Sequence, residues 1–270
     1  MLFRSELAMD FPEYVIKANW QAEIEAGLRF GNWKNEKENA FVPVKDYFIL
    51  NTGADLWKWA LVTPLVEDGT LESLAKRTKV HERTPQKLDK IFRNAFERLL
   101  SSLKLLHDIG FCHDDIKSDN VFIANATRWL IGDLGNVRQF DHPWHGTRRW
   151  KRENQWSDCV FNDIRRTLKT YMTFLRHSCG KQADFDREFY SSQQAWSSLY
   201  WAWMGQPLPV SSTLELSRMH DPRHELEWKP DPGGPLSARQ EECLARKVDI
   251  ELETTTLHLR PWDYWPLRAC

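Results

Sequence analysis

The longest amphipathic pattern in the chain lies between Thr84 and Gly110. Apolar residues recur there at steps of three and four positions, which is the spacing of one face of an α-helix. Thr84 followed by Pro85 is a typical helix start, because proline in the first turn loses no hydrogen bond. Gly110 is a typical end. The pattern predicts a long core helix with the apolar positions Leu88, Ile91, Phe92, Ala95, Phe96, Leu99, Leu100, Leu103 and Leu106.

Other helices and strands are predicted on either side of this helix. Residues 19–31 and 157–175 place apolar side chains among polar ones at helical spacing. Residues 41–50 and 57–66 are rich in β-branched and aromatic residues and predict two strands. Two short apolar stretches within residues 121–131 flank a polar turn and predict a hairpin.

The last third of the chain is less regular. Residues 185–204 predict one aromatic-rich helix, and another helix begins within residues 211–216. The proline and glycine content of residues 231–235 predicts a loop. The chain ends in a Trp-rich tail that includes Trp262 and Trp265. Such large rings either pack on a core or form an interaction surface, and the sequence leaves both open.

Polar residues of a particular kind flank the short hairpin. Asp115, Lys117 and Asn120 precede it, and Asp133 follows it. Transfer of a phosphoryl group requires a carboxylate beside the acceptor hydroxyl and oxygen ligands for Mg²⁺. Asp115 suits the first role, and Asn120 and Asp133 suit the second. Lys117 can reach the transferring phosphate as a point charge.

Each of these residues, taken singly, is typical of a solvated turn. The ordered set, placed around a hairpin after a strong helix, favours the functional interpretation. Residues 113–135 resemble the catalytic loop and the metal-binding Asp-x-Gly of the eukaryotic protein kinases, and the chain is similar to divergent kinase-like proteins of fungi. The resemblance implies an α+β fold with two lobes. A small, incomplete β-rich N-lobe would span residues 1–66 and a mainly helical C-lobe residues 67–270, with ATP and Mg²⁺ between them.

The resemblance assigns further residues to the nucleotide site. Lys17, at the end of a short β-like stretch, corresponds to the lysine that contacts nucleotide phosphates. A glutamate of the next helix would pair with it. Glu23 and Glu25 are the candidates, and two residues apart on a helix they cannot both face Lys17. Glu23 is preferred, although both are also typical solvated helix charges. Residues 64–71 resemble the hinge that holds the adenine ring.

An activation segment is expected over residues 136–156. Its Thr147 follows a glycine, similar to the Gly-Thr of Ser/Thr kinases. The basic group within residues 148–152 predicts either docking of acidic peptides or a solvated loop. Asp158 resembles the aspartate that begins the central helix and orients the catalytic loop, with Asp163 as the alternative.

Three departures from the family pattern have consequences. None of the residues before Lys17 is a glycine, so the backbone cradle for the nucleotide phosphates is absent or formed by other residues. Asp114 stands where many kinases have an arginine that receives an activation-loop phosphate. Because an acidic residue repels phosphate, this chain is not expected to be switched in that way. No Ala-Pro-Glu follows Thr147, and Glu153 is the candidate remnant.

Composition narrows the class of partner and the compartment. The chain has 270 residues, enough for a sizeable core, and its formal net charge of -1 argues against bulk nucleic acid as a partner. No membrane-spanning run or secretory signal is evident, which predicts a soluble intracellular protein, cytoplasmic or nuclear. The cysteines are odd in number and lack metal-ligand spacing, which predicts free thiols in a reducing compartment. They are Cys112, Cys159, Cys179, Cys243 and Cys270.

Three functions are compatible with these patterns. The first is a protein kinase that transfers the γ-phosphoryl group of ATP to Ser/Thr hydroxyls of a protein substrate, with Asp115 and Lys117 at the acceptor. The second is a pseudokinase, a binding module that lacks phosphotransfer because the glycine-rich loop is missing. The third is a small-molecule phosphotransferase, which Lys117 disfavours because such relatives often lack this lysine. The substrate and the oligomeric state do not follow from the sequence.

Overall fold

The computed structural model describes residues 22–31, 40–51, 57–153, 155–222 and 236–253. Lys17 and the Trp-rich tail lie outside these ranges. None of the described helices combines the length and the hydropathy that crossing a membrane needs. In chain order the elements are α1 (Ala22–Phe30), β1 (Asp46–Asn51), β2 (Trp57–Val62), α2 (Leu71–Lys79), α3 (Pro85–His107), β3 (Phe111–Cys112), β4 (Val121–Asn125), β5 (Arg128–Ile131), β6 (Arg138–Gln139), α4 (Arg148–Arg152), α5 (Cys159–Ser178), α6 (Gln182–Phe189), α7 (Ala195–Gly205), α8 (Val210–Met219) and α9 (Ala238–Leu252).

The strands form three antiparallel pairs in the described part of the chain. These pairs are β1 with β2, β3 with β6, and β4 with β5. Together with the helices they give the predicted α+β composition, with most residues helical. The β4–β5 hairpin turns at Asn125, whose Oδ1 accepts a hydrogen bond from Thr127 N at 3.0 Å. This is the polar turn that the sequence predicts.

The core is built on the helix that the apolar pattern predicts. Thr84 caps α3, and Gly110 follows its end with φ +85°, a backbone conformation that favours glycine. Helix α3 packs against α5 and β5, and the rings of Phe96 and Tyr171 stack at a centroid distance of 4.2 Å. Ile91 is an exception on the predicted face, because 46 % of it is exposed. Each large apolar side chain buried here contributes about 1.5–3 kcal/mol.

A buried polar cluster fixes α3 against α5 and α8. The Asp89 carboxylate accepts hydrogen bonds from Arg93 Nη2 at 2.6 Å and from the Tyr171 hydroxyl at 2.7 Å. Arg93 Nη1 donates to the carbonyl oxygen of Ser217 at 3.0 Å. Because the partners come from three helices, with Asp89 and Arg93 on α3, Tyr171 on α5 and Ser217 on α8, the cluster specifies how these helices pack.

The strand bounds differ from the prediction at both ends. β2 ends at Val62 and not at residue 66, and β1 begins at Asp46 and not at residue 41. Residues before β1 pair elsewhere, because Val42 N donates to Ile131 O at 2.9 Å and Ile131 N donates to Ala40 O at 3.0 Å. The apolar residues of this stretch therefore cover β5 before the chain enters the β1–β2 hairpin.

The aromatic-rich stretch is two helices, so the prediction of one helix over residues 185–204 is wrong. α6 ends at Phe189 and α7 begins at Ala195. Ser192 between them has φ +55°, which an α-helix does not contain. Gln194 and Ser197 then form a capping box that starts the second helix. The rings of both helices still pack together, with Phe185 and Trp196 stacked at 4.4 Å.

The structure contradicts the prediction of free thiols for Cys112, Cys159 and Cys243, which are disulfide-bonded. Cys112 at the end of β3 and Cys159 at the start of α5 form a disulfide, 47 residues apart in the sequence. Both side chains are buried beside Trp150. Cys179 is a buried free thiol. Spacing along the chain could not reveal the bonded pair, because the fold alone brings the two residues together.

Reduction of this disulfide is expected to lower the free energy of unfolding by about 2–4 kcal/mol, because the bond closes a long loop in the unfolded chain. Urea unfolding with and without a dithiol reductant measures the change. A double variant, Cys112→Ala with Cys159→Ala, is the control, since it can respond only through other cysteines. An equal response of wild type and double variant to the reductant would contradict the prediction.

Candidate active site

A buried aspartate of α5 holds the backbone of the predicted catalytic loop. Asp163 accepts hydrogen bonds from the amides of His113 at 2.7 Å and Asp114 at 2.9 Å. Its Oδ2 also lies 3.1 Å from His107 Nε2. Burial by itself would raise the pKa of Asp163, but the hydrogen bonds from His107 and His113 and the charge of His107 outweigh it and lower the pKa. The loop is therefore anchored on an ionised carboxylate.

Asp158, preferred by the sequence for this role, does not fill it. Its side chain is exposed and accepts a hydrogen bond from Val160 N at 2.9 Å, which is a helix cap. The sequence alternative, Asp163, is the residue in contact with the loop. The two were hard to separate because both lie near the start of the same helix, and only burial distinguishes them.

His113 connects the loop to the residue before Asp133. Its Nδ1 accepts a hydrogen bond from Asp115 N at 3.3 Å, so its proton lies on Nε2, which donates to Gly132 O at 3.0 Å. Burial lowers the pKa of His113, which favours this neutral form. A second link runs from Gly132 N to Asn120 O at 2.8 Å. The two bonds fix Asp133 next to the catalytic loop.

The side-chain hydrogen bonds at the centre of the site all end on one carboxylate oxygen, Asp115 Oδ2. Asp115 Oδ2 accepts from Lys117 Nζ at 2.8 Å and from Asn120 Nδ2 at 3.2 Å. Asn136 Nδ2 lies 3.5 Å from the same oxygen. No hydrogen bond from the described residues reaches Oδ1, so this oxygen is available to an incoming hydroxyl. Asn136 was not among the predicted site residues.

Two oxygen donors stand where the sequence predicts Mg²⁺ ligands. The Asn120 amide nitrogen is engaged with Asp115, which leaves its Oδ1 as the possible metal ligand. The Asp133 side chain is exposed, and its backbone is left-handed, with φ 52° and ψ 66°. Such a conformation costs about 1–3 kcal/mol in a residue other than glycine and persists only where the surroundings hold it. A carboxylate and an amide oxygen are a donor set that fits Mg²⁺.

A cleft lies on the other side of Asp133. Glu23 faces it and is partly buried, whereas Glu25 is exposed. Burial, and then the negative charge of Asp133, raise the pKa of Glu23. The cleft encloses about 150 Å³. Pairing of Glu23 with Lys17 stays a prediction because Lys17 is outside the described residues. The lining residues are Glu23, Gly27, Val42, Val44, Leu61, Thr63, Phe122, Gly132, Asp133 and Leu134.

The predicted hinge leads onto the site hairpin. Gly69 has φ +67° and its carbonyl oxygen accepts a hydrogen bond from Ile123 N at 2.9 Å. Thr70 forms an isolated bridge with Phe122 and also caps α2. Residues 64–70 therefore connect Thr63 of the cleft lining to the hairpin that carries Phe122, and their role as the hinge stays a prediction.

The start of the basic group is a helix cap. Thr147 Oγ1 donates to Trp144 O at 2.9 Å and accepts from Trp150 N at 3.2 Å, so it begins α4. Glu153, the candidate Ala-Pro-Glu remnant, forms an ion pair with Arg149 at 3.1 Å, and Arg149 is largely exposed. The other basic side chains of α4, namely Arg148, Lys151 and Arg152, are exposed.

Asp114 makes contacts that the sequence did not predict. Its Oδ2 lies 2.8 Å from His145 Nε2 and 3.2 Å from Arg138 Nη1. Burial, and then the charge of Asp163, raise the pKa of Asp114, while His145 and Arg138 oppose the increase. The acidic residue at a position where kinases have arginine was a signal that basic partners should be sought in the segment that follows.

Comparison with known proteins supports a protein kinase-like superfamily. Residues 47–154 match the model of the protein kinase domain. The chain is protein kinase-like. A curated relative of this kinase-like chain, a probable serine/threonine-protein kinase of Dictyostelium discoideum, is 29% identical over 96 residues. The alignment covers 34% of the kinase-like chain and only 6% of that relative. The match includes the whole of the loop that carries Asp115, Asn120 and Asp133.

Proposed function

We propose that this kinase-like chain transfers the γ-phosphoryl group of ATP to Ser/Thr hydroxyls of a protein substrate. The observation that carries the proposal is the arrangement around Asp115. Lys117 and Asn120 hold one carboxylate oxygen and leave the other available. The backbone hydrogen bond between Gly132 N and Asn120 O joins the residue before Asp133 to the same loop. Folding alone does not require these polar groups to converge on one partly exposed point.

The residues divide the reaction between them. Asp115 Oδ1 orients the acceptor hydroxyl and takes its proton, while the hydroxyl oxygen bonds to the γ-phosphorus. The bond from that phosphorus to the β–γ bridging oxygen breaks, and ADP leaves. Lys117, already in contact with Asp115, is placed to neutralise charge on the transferring group.

The Mg²⁺ and nucleotide roles follow from the same geometry. Asn120 Oδ1 and Asp133 would hold Mg²⁺, which neutralises charge on the nucleotide phosphates when bound. Glu23 and Asp133 repel each other across the cleft, and a cation near them would relieve that repulsion. Lys17 is the proposed contact for the phosphates and Glu23 its partner. The apolar lining around Val42 and Phe122 suits the flat face of an adenine ring.

The wider properties belong to the same proposal. We propose two lobes, residues 1–66 and 67–270, with the site between them. The proposed partners are ATP and a protein substrate, with no nucleic acid, and the proposed location is cytoplasmic or nuclear. The Cys112–Cys159 disulfide opposes that location, because thiols are kept reduced in those compartments.

A specific observation favours a second candidate, a pseudokinase. Ligand sites usually enclose about 300–1,000 Å³, whereas the cleft encloses about 150 Å³. A protein of this kind would keep the fold as a binding module without transferring phosphate. It is distinguished from the kinase by nucleotide binding and by phosphate transfer.

A thermal-shift titration with ATP tests the nucleotide site. A ligand that binds only the folded protein stabilises it by about 2.7 kcal/mol at a concentration of 100 Kd. We expect a saturable rise in melting temperature that requires Mg²⁺, because Asn120 and Asp133 contact the nucleotide only through the metal. An absence of any shift up to millimolar ATP would favour the pseudokinase.

A further inference from the structure

We propose that Asp114 is a positioning residue that holds the activation segment in place without phosphorylation. Its buried carboxylate would do this by binding Arg138 and His145 of that segment. The expected effect on KM rests on the proposed phosphotransfer, whereas the contacts themselves do not depend on activity. In kinases that have an arginine at this position, the loop is positive and the phosphorylated segment is negative. Here the loop residue Asp114 is negative and the segment supplies the basic partners.

The contacts of Asp114 with Arg138 and His145 are shielded from water, most completely at Asp114. The Asp114 side chain is 1% exposed, His145 is 5% exposed and Arg138 is 23% exposed. His145 Nε2 faces the Asp114 carboxylate, and His145 Nδ1 lies 3.0 Å from Phe140 O. Both ring nitrogens therefore face oxygen atoms. One buried carboxylate thus contacts an arginine and a histidine from a single segment.

The local charges make this contact necessary for a stable loop. Asp114 lies close enough to the buried carboxylate of Asp163 for the two to repel each other. Asp163 is engaged with the loop amides and cannot move away. If the activation segment left, Asp114 would lose the two partners that offset its repulsion by Asp163, which is unfavourable. The docked position of the segment is therefore linked to the folded form of the catalytic loop.

A short chain of hydrogen bonds joins this contact to the acceptor site. Arg138 Nη1 also donates to Asn136 O at 2.8 Å, and Arg138 Nη2 donates to Asn136 Oδ1 at 3.2 Å. The same Asn136 side chain reaches Asp115 Oδ2. Without the Asp114 contact, Arg138 would be less firmly fixed. It would then no longer hold the Asn136 side chain beside Asp115.

Limited trypsin digestion tests the proposal, because α4 offers exposed basic residues for cleavage within the segment. Asp114→Asn keeps the size of the side chain and removes its charge. We expect cleavage within residues 138–152 to become at least about tenfold faster, since the segment opens more often. Cleavage after the exposed Arg246 of α9 is the internal reference and should not change. Asp119→Asn, an exposed carboxylate of the same loop, is the matched control.

Two further arms separate positioning from general destabilisation and from loss of the proposed function. Phosphatase treatment of wild type should leave the cleavage rate unchanged. His145→Gln removes the contact from the segment side and should also speed cleavage within residues 138–152. This variant tests the proposal even if Asp114→Asn does not fold. In phosphotransfer assays Asp114→Asn should raise the KM for a peptide more than the KM for ATP. Unchanged cleavage in both variants, or faster cleavage after phosphatase treatment, would overturn the proposal. An inactive wild type would overturn the proposed function but leave the digestion result to decide this inference.

Discussion

Replacing Asp133 with alanine is expected to lower the rate of phosphate transfer at least about 100-fold, because it removes the proposed charged ligand for the metal that would stabilise the transferring phosphate. The exposed position of Asp133 predicts that the variant folds normally. Its left-handed backbone is less favourable for alanine than for aspartate, so the substitution relieves no strain and is expected to cost a little stability. The Mg²⁺-dependent rise in melting temperature with ATP should disappear as well.

Steady-state phosphorylation of a mixed Ser/Thr peptide library and the ATP titration measure these two losses. Asp141→Ala is the control, because Asp141 is an exposed carboxylate of the same region outside the site. A variant at Asp133 with wild-type turnover would count decisively against the proposed metal ligand. Loss of transfer with an intact Mg²⁺-dependent shift would instead place Asp133 in the chemical step and not in nucleotide binding.

Replacing Asp163 with alanine is expected to lower the free energy of unfolding by about 3–5 kcal/mol, the range found when a buried charged group loses its partners. The amides of His113 and Asp114 and the ring of His107 would be left without their acceptor. Asp158→Ala, at the exposed cap of the same helix, should cost only about 1 kcal/mol. Urea unfolding followed by circular dichroism measures both.

The pH dependence supplies an independent check on Asp163. Its pKa is lower in the folded protein than in the unfolded chain, where an aspartate titrates near 3.9. Its contribution to stability is therefore complete above about pH 4 and is lost as the pH falls through the folded pKa. The difference between wild type and Asp163→Ala should shrink in that acidic range. Equal effects of the Asp158 and Asp163 substitutions at neutral pH would contradict the assignment of the anchor.

Local sequence patterns predicted much of the scaffold. They also identified candidate site residues that lie close together in the sequence. Thr84 and Gly110 could be predicted to mark the start and the end of α3, because helix capping and backbone freedom are properties of single residues. The set Asp115, Lys117 and Asn120 could be named because its spacing around a hairpin is a local feature. The structure adds that these side chains contact one another, which spacing alone does not establish.

What could not be predicted depends on contacts between distant parts of the chain. The disulfide between Cys112 and Cys159 depends on the packing of β3 against α5. The choice of Asp163 over Asp158 depends on which one is buried. The contact of Asp114 with His145 depends on how the activation segment folds back over the loop. In each case the residue types were visible, but the partner was not.

Phosphate incorporation by the wild-type protein is the measurement that tests the central claim most directly. The protein is incubated with Mg²⁺ and ATP labelled at the γ-phosphate, with the peptide library as acceptor, and with Asp133→Ala as the blank. The account predicts label on Ser and Thr hydroxyls at a rate at least about 100-fold above the blank. Saturable ATP binding with no label above the blank would contradict it, and would identify the chain as a nucleotide-binding pseudokinase.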